Sequence, residues 1–432
     1  MIQKLKKLLS RSEFAKNTLI LIIGTSFAQL LPLIFTPILS RLFTPKQFGL
    51  LSIFMTLSIL FGNIVGGKYE MSILILPRKV DTYNMLSLGF LLTVFNAAIL
   101  LIIAIVFAGP ISTLFKAPNL GKVLWIMPFG IIGLSMFNFF NFYFTREKKY
   151  TLISSAKITR GSTTALAQTG AGLLKYSFGL VVGYVSGLIA GIIPFTIKFF
   201  KSQRHFFRSL SLKHIKKLAI RYKKFPIFNI PSTLANRLST DITNIVVSPL
   251  FGLKSLGLYF QAYRFMSVPS YFIGLSLSQV YMQTASDELK KHGTVHKTFF
   301  SVLKKLVIIA IPTFLIIFLI AKPAFTFILG KRWYMSGVYA QIITPLLFTR
   351  FIASPLSSTL YIIEKQETIL IYQIFLLLTS VGSFLFGHML KLNFSKTLII
   401  LSISNSLVYI GMLLILVYYV LQLKKHPRTK TA

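Results

Sequence analysis

Five basic side chains lie inside stretches of this sequence that are otherwise apolar enough to cross a membrane. These residues are Lys157, Arg160, Arg237, Arg264 and Arg350. Asp241 is the one acid that lies among them. A Lys or Arg at the centre of a spanning helix costs about 2.5–3.5 kcal/mol, so five that face lipid would cost roughly 15 kcal/mol. The pattern therefore predicts a watery, protein-lined cavity with surplus positive charge, which suits an anionic ligand.

The apolar run 151–173 carries a polar seam along a single helical face. The seam comprises Lys157, Arg160, Thr164 and Gln168, which recur at the three- and four-residue spacing of one helix face. A seam of this length would be costly against lipid, so it lines either a cavity or an interface between helices. Two neighbouring cations without an acid nearby favour the cavity. Polar contacts between packed helices are the alternative.

A second polar group lies in the run 226–247. Its members share one side of the predicted helix and are Thr233, Arg237, Asp241 and Asn244. Arg237 and Asp241 are four residues apart, the spacing of an ion pair within a helix. One interpretation is mutual neutralisation for membrane insertion. The other is a switch, in which Asp241 takes up a proton or a coupling cation and releases Arg237 to the substrate. Both can hold.

Arg264 and Arg350 have no acid three or four residues away in the sequence. With Asp241 assigned to Arg237, four positive charges remain as a surplus, on Lys157, Arg160, Arg264 and Arg350. A diphosphate carries about two or three negative charges, and guanidinium groups match phosphate oxygens in geometry. We therefore predict that these four residues bind a diphosphate. Extension of the side chain to the membrane surface is the alternative for Lys157 and Arg350.

The elements that must position these groups are helices, and the sequence predicts an all-α polytopic membrane protein. The chain has 432 residues, 54% of them hydrophobic, and a mean hydropathy of +0.72. Twelve apolar runs are each about 20 residues or longer, enough to cross roughly 30 Å of hydrocarbon. They span 17–40, 48–66, 82–108, 122–144, 151–173, 178–199, 226–247, 258–281, 302–321, 338–361, 368–388 and 397–420.

The basic residues between the runs predict the orientation of the chain. With the N-terminus inside, 31 of the 47 Lys and Arg fall in inner connections and 11 in outer ones. This asymmetry follows the positive-inside rule and places both termini in the cytoplasm. The densest basic segment, 198–224, is typical of an amphipathic helix on the inner leaflet. The predicted domains are a basic N-terminus 1–16, an N-lobe 17–200, a basic linker 201–225, a C-lobe 226–420 and a basic tail 421–432.

An internal repeat suggests that the two lobes are related. Residues 40–51 follow the first predicted span, and residues 248–259 follow the seventh. Six positions match without a gap: Ser40/Ser248, Leu42/Leu250, Phe43/Phe251, Lys46/Lys254, Gly49/Gly257 and Leu50/Leu258. Chance similarity of two short turns is the alternative. Because an even number of spans separates the copies, the lobes have the same orientation, an arrangement found among transporters.

Several function classes are poorly supported by the sequence. It contains no phosphate-binding Walker loop and no cysteine, and its acids are not paired in a predicted cleft. The basic residues are dispersed among short loops, which argues against nucleic-acid binding. We predict no cofactor and no metal site. These features indicate a transporter and not an enzyme.

Four segments carry a resemblance to a known family. They are Ser40 to Gly49; Lys68-Tyr69-Glu70 running into Ile75-Leu76-Pro77; Asp241 followed by Gly257-Leu258-Tyr259; and Gly330-Lys331-Arg332-Trp333 with Gly337 and Tyr339. In this order and placement they resemble the polysaccharide-exporting flippases of the Wzx kind. That family belongs to the superfamily that also holds the MATE drug antiporters and the lipid II flippase.

The resemblance implies two six-helix bundles around a V-shaped, cation-lined cavity in the inner membrane of a bacterium. The implied substrate is an undecaprenyl-diphosphate-linked oligosaccharide for O-antigen or capsule synthesis, turned from the inner to the outer leaflet by alternating access. The implied partners are membrane lipids, H+ or Na+ as coupling ion, and a polysaccharide polymerase complex. Three alternatives stay open: a MATE-like drug or metabolite antiporter, a membrane-bound polymerase or ligase, and a scaffold that transports nothing.

Overall fold

The helices of the protein follow the apolar runs of the sequence. A computed structural model describes residues 13–203, 206–269 and 274–425. Within these ranges the chain contains α-helices and short 3-10 helices and no β-strand. It divides into two units, Met1–Arg237 and Leu238–Ala432. Parts of the predicted N-terminus, linker, eighth span and C-terminal tail (1–12, 204–205, 270–273 and 426–432) lie outside the described residues.

The helices of the first unit are α1 (Glu13–Ile34), α2 (Thr36–Leu42), α3 (Pro45–Gly62), α4 (Lys79–Val106), α5 (Ala108–Leu114), α6 (Gly121–Leu124), α7 (Met127–Arg146), α8 (Tyr150–Leu173), α9 (Gly179–Ala190), α10 (Ile193–Ser202) and α11 (Leu212–Arg221). α12 (Lys224–Met266) runs from the first unit into the second. The second unit continues with α13 (Leu275–His292), α14 (His296–Leu329), α15 (Tyr334–Leu356), α16 (Ser358–Ile362), α17 (Gln366–Met389) and α18 (Phe394–Lys425). Short 3-10 helices cover Tyr69–Leu74, Phe207–Ser209 and Lys331–Trp333.

The prediction of a polytopic all-α membrane protein is confirmed. In the described part of the chain, eight helical segments are long and apolar enough to cross a membrane. Helices also cover most of the described part of each of the twelve predicted runs. α8 is not among the eight, because the charges and hydroxyl groups of its seam lower its mean hydropathy.

The two copies of the sequence repeat interrupt their helices at the same aligned position. In the first copy the chain is extended at Phe43 and Thr44 before α3 begins at Pro45. Thr44 and Gln47 form a reciprocal capping box there, and Gln47 Nε2 also donates to Ser177 O at 3.0 Å. In the second copy Gly252, aligned with Thr44, breaks α12 with a φ of 82°. A positive φ favours glycine, so each copy makes its break by different local chemistry.

The basic linker is docked on the N-lobe through α11 and the chain before it. Asn84 of α4 donates to Ser209 O at 2.9 Å and accepts from the Ser211 N–H at 3.0 Å. Further along, Tyr69 OH donates to Ala219 O at 3.1 Å. The linker therefore packs as part of the first unit, which extends to Arg237, and the second unit begins at Leu238.

Glu70 is a buried carboxyl in the connection between α3 and α4. Its side chain lies 3.6 Å from Lys68 Nζ, and the residue is 4% exposed. Burial is the largest influence and raises the pKa of Glu70 above its ordinary value of 4.5, while the Lys68 ammonium acts in the opposite direction. Compared with an exposed glutamate, this side chain is therefore protonated more readily in the folded protein.

Replacement of Glu70 by glutamine is expected to stabilise the protein near neutral pH. Because the pKa is raised on folding, the native carboxyl contributes most to stability below about pH 4.5, and that contribution is lost as the pH rises through the folded pKa. Glutamine mimics the protonated form at every pH. Thermal unfolding in detergent over a pH series should show a gain for Glu70→Gln that grows from acidic to neutral pH. A gain that does not change with pH would contradict this explanation.

Candidate functional site

The polar seam of the N-lobe lies on α8, between α1 and α9. Four glycines of α9 and the loop after it recur every four residues and face successive residues of α8. A Cβ atom on these glycines would meet Ala171 from Gly179, Gln168 from Gly183, Thr164 from Gly187 and Arg160 from Gly191. On the other side, a Cβ on Gly161 would lie 2.6 Å from Ala28 O of α1. Small residues thus let three helix backbones approach closely, as is common in membrane proteins.

Two of the four residues of the predicted seam are buried in this close packing. Thr164 is 9% exposed and Gln168 3%. The Thr164 hydroxyl donates to Arg160 O, and Gln168 Nε2 donates to Leu180 O of α9, both at 2.8 Å. The structure thus places these two residues at the helix interface that the sequence left open as an alternative. Their role in lining a cavity stays a prediction.

The two cations of the seam remain partly exposed. Lys157 Nζ donates to Thr25 Oγ1 of α1 at 2.8 Å. The Arg160 guanidinium lies 5.7 Å from the centre of the Phe137 ring, a cation–π contact. The buried Tyr184 hydroxyl interacts electrostatically with Arg160, although the two groups do not have the geometry of a hydrogen bond. Neither cation forms an ion pair with any residue that the structure describes.

Arg350 is the cation of a tyrosine-lined site in the C-lobe. Its Nη1 donates to Tyr263 OH at 2.6 Å, and the Tyr263 ring stacks on Tyr259 with ring centres 5.8 Å apart. Tyr372 of α17 and Tyr409 of α18 contact one another edge to face and interact electrostatically with Arg350. Arg350 of α15 therefore lies among phenol groups from α12, α17 and α18. Within the described ranges, no carboxylate forms an ion pair with it.

The remaining predicted site residues lie on α12. Arg237 and Asp241 are one helical turn apart and partly buried, as are Thr233 and Asn244. Thr243, two residues after Asp241 on the same helix, is buried. Arg264 lies near the C-terminal end of the helix, partly buried. Its guanidinium makes no hydrogen bond or ion pair with the residues described by the structure.

The tyrosines around Arg350 and the aromatic contacts of Arg160 were missed by the sequence analysis. Tyr259 and Tyr263 are four residues apart, a spacing that could have indicated a shared face. Tyr372 and Tyr409 lie inside apolar runs, where a phenol needs a polar partner.

Metal binding is a separate question. The described residues contain no group of three or more His, Cys, Asp or Glu suited to a metal ion.

Solved structures of transporters share this fold. A MATE-family multidrug transporter of the MOP superfamily, in its inward-facing conformation, matches with a TM-score of 0.74 at 15% identity, over 93% of this chain and 96% of that chain. The lipid II flippase MurJ in an inward closed conformation matches with a TM-score of 0.71 at 17% identity, over 93% of this chain and 87% of that chain. These likenesses show the fold.

Sequence relatives come from polysaccharide pathways. The succinoglycan biosynthesis transport protein ExoT of Rhizobium meliloti is 24% identical over 311 residues, 69% of this chain and 58% of the relative. The chain thus spans little more than half of that relative's length. A membrane protein in the cps region of Klebsiella pneumoniae is 22% identical over 365 residues, 84% of this chain and 73% of the relative. The model of a family described as polysaccharide biosynthesis protein matches residues 38–338. With most of its length in that match, this chain is a member of the polysaccharide biosynthesis protein family.

Proposed function

We propose that the protein is a flippase that turns undecaprenyl-diphosphate-linked oligosaccharide repeat units from the inner to the outer leaflet of a bacterial inner membrane. Its product would feed the synthesis of a surface polysaccharide such as O-antigen or capsule. Family membership and the flippase-like fold support the general class of this proposal. The nature of the substrate is proposed from the charges of the two lobes.

The observation that carries the proposal is that each lobe holds cations within its apolar runs that form no ion pair with an acid among the described residues. Lys157 and Arg160 lie in the N-lobe, and Arg264 and Arg350 lie in the C-lobe. Buried charge without a counter-ion is costly, so an anion that binds there is favoured. The proposed anion is the diphosphate of the lipid carrier. Arg160, Arg264 and Lys157 would contact it directly, and Arg350 would do so while held by Tyr263.

Coupling to an ion gradient is assigned to α12. In this proposal Asp241 binds H+ or Na+, and its neutralisation frees Arg237 for the substrate. The one-turn spacing of the two residues within a continuous helical segment supports this assignment. Both termini would lie in the cytoplasm, and a polysaccharide polymerase complex would receive the product on the outer side.

The proposal is tested with purified protein in liposomes and a fluorescent prenyl-diphosphate-linked saccharide. Transbilayer movement is measured by the fraction of fluorophore that a membrane-impermeant reductant can reach. We expect protein-dependent movement of the diphosphate substrate and much slower movement of a neutral analogue with the same sugar and lipid. Equal rates for the charged and neutral substrates would overturn the role given to the cations.

A drug or metabolite antiporter is the second candidate, because the MATE transporter has the highest TM-score among the structures reported above. Such a protein exporting organic cations needs acids in its cavity, whereas here the cations within the apolar runs outnumber Asp241 by five to one. The same liposomes provide the test. Gradient-driven uptake of ethidium without movement of the lipid-linked saccharide would favour this candidate.

A further inference from the structure

The outward face of the linker helix α11 combines positive charge with exposed apolar side chains. Its exposed cations are Lys213, Lys216, Lys217 and Arg221. Leu212 and Ile220 lie among them and are 79% and 58% exposed. Ile215 and Leu218, on the opposite face, are buried in the inner-side core of the N-lobe. The helix therefore buries one apolar face, and its outward face carries apolar side chains as well as charged ones.

The positive charge of this face is not balanced by acids in the neighbouring sequence. The segment 198–224 contains no Asp or Glu. The acid that contacts α11 is Asp81, whose Oδ1 lies 2.7 Å from His214 Nε2, on the flank of the docked side. In the described part of the chain, none of the four exposed cations of α11 forms an ion pair. The face is thus complementary to an extended negative surface.

The exposed apolar groups continue the lipid-facing surface of a membrane span. Phe207, 68% exposed, stacks nearly parallel on Phe200 of α10 with ring centres 5.8 Å apart. Phe200 is itself exposed on a helix that is apolar enough to cross a membrane. A soluble acidic protein would account for the lysines, but not for Leu212 and Ile220 beside them. A bilayer surface with anionic headgroups accounts for both.

We propose that α11 is an interfacial anchor that binds the anionic phospholipids of the inner leaflet. The lysines contact lipid phosphates, and Leu212, Ile220 and Phe207 enter the headgroup–acyl boundary. The contacts of Asn84, Tyr69 and Asp81 hold this face in a fixed orientation on the N-lobe. The inference does not depend on the substrate of the transporter.

The test uses the full chain in nanodiscs and a fluorophore on α11. Because the chain contains no cysteine, Leu212→Cys provides a single labelling site on the proposed lipid-binding face. Quenching by brominated phosphatidylglycerol is compared with quenching by brominated phosphatidylcholine at equal content. We expect strong preference for the anionic lipid, and a fall of that preference by on the order of a hundredfold when Lys213, Lys216 and Lys217 are all changed to Gln.

The matched control removes three other exposed lysines, in Lys290→Gln, Lys291→Gln and Lys304→Gln together. It changes the net charge equally and should leave the lipid preference intact. Equal quenching by the two lipids, or a preference that survives the α11 triple variant, overturns the proposal. Lack of quenching by either lipid also overturns it, because α11 would then face the cytoplasm and a soluble acidic partner would be the occupant. Unchanged thermal unfolding of the triple variant shows that its fold is intact.

Discussion

Alanine at Arg160 or at Arg264 is expected to stop the export of surface polysaccharide while the protein remains in the membrane at normal levels. A hydrogen bond to a charged group contributes about 1.5–3 kcal/mol, so loss of one guanidinium weakens diphosphate binding by roughly tenfold to a hundredfold. The effect should be largest at Arg264, whose guanidinium has no hydrogen-bond partner within the described ranges and is free for substrate. Surface polysaccharide is quantified by gel and immunoblot.

Two controls separate binding from general loss of charge. Lys254→Ala removes an exposed cation from a predicted outer connection and should leave export unchanged. Arg160→Lys keeps the charge but not the planar fork, so partial export would indicate that bidentate contact matters. Wild-type export in both alanine variants would falsify the binding role of these arginines.

Addition of a single methyl group at Gly187 is expected to destabilise the N-lobe. A Cβ at this position would overlap the Thr164 hydroxyl and approach Arg160 O to 2.8 Å, and the backbone of α8 cannot move away without breaking its contacts with α1. Overpacking of this kind costs about 1–3 kcal/mol. We expect Gly187→Ala to lower the midpoint of thermal unfolding in detergent and the yield of folded protein.

The matched control is Gly170→Ala on α8, where a Cβ meets nothing within 4 Å. It should be neutral or slightly stabilising, because alanine favours a helix more than glycine does. Addition of Thr164→Ala to Gly187→Ala should recover part of the loss, since the overlapping hydroxyl is removed while the contact with Arg160 O remains. Equal stability of the variants at positions 187 and 170 would show that the two helices can separate at no cost.

The sequence sufficed for those features that depend on local patterns. Apolar runs of sufficient length predicted the helices, and the short motif at Thr44 and Gln47 is a capping box whose residues are all local. The sequence also indicated the amphipathic linker, because Lys residues are interspersed with Leu and Ile in α11. In each case residues within a few turns of one another decide the structure, so no knowledge of distant packing is needed.

Other features depend on contacts between distant segments. The interpretation of Thr164 and Gln168 turned on glycines of another helix, whose facing could not be derived from α8 alone. The tyrosines around Arg350 come from three helices and meet only in the folded C-lobe. The docking of the linker on the N-lobe likewise rests on contacts between distant segments, such as that of Tyr69 with Ala219.

The close approach of α8 and α9 also bears on which positions of the N-lobe can vary over evolutionary time. Positions 164 and 168 are committed to holding two backbones together, so substitutions there damage assembly before they alter recognition. Lys157 and Arg160 are still partly open on the same helix. In the proposed function both residues contact the diphosphate, so selection that adjusts this contact has those two positions to work with in the N-lobe, and it must leave the neighbouring glycines of α9 unchanged.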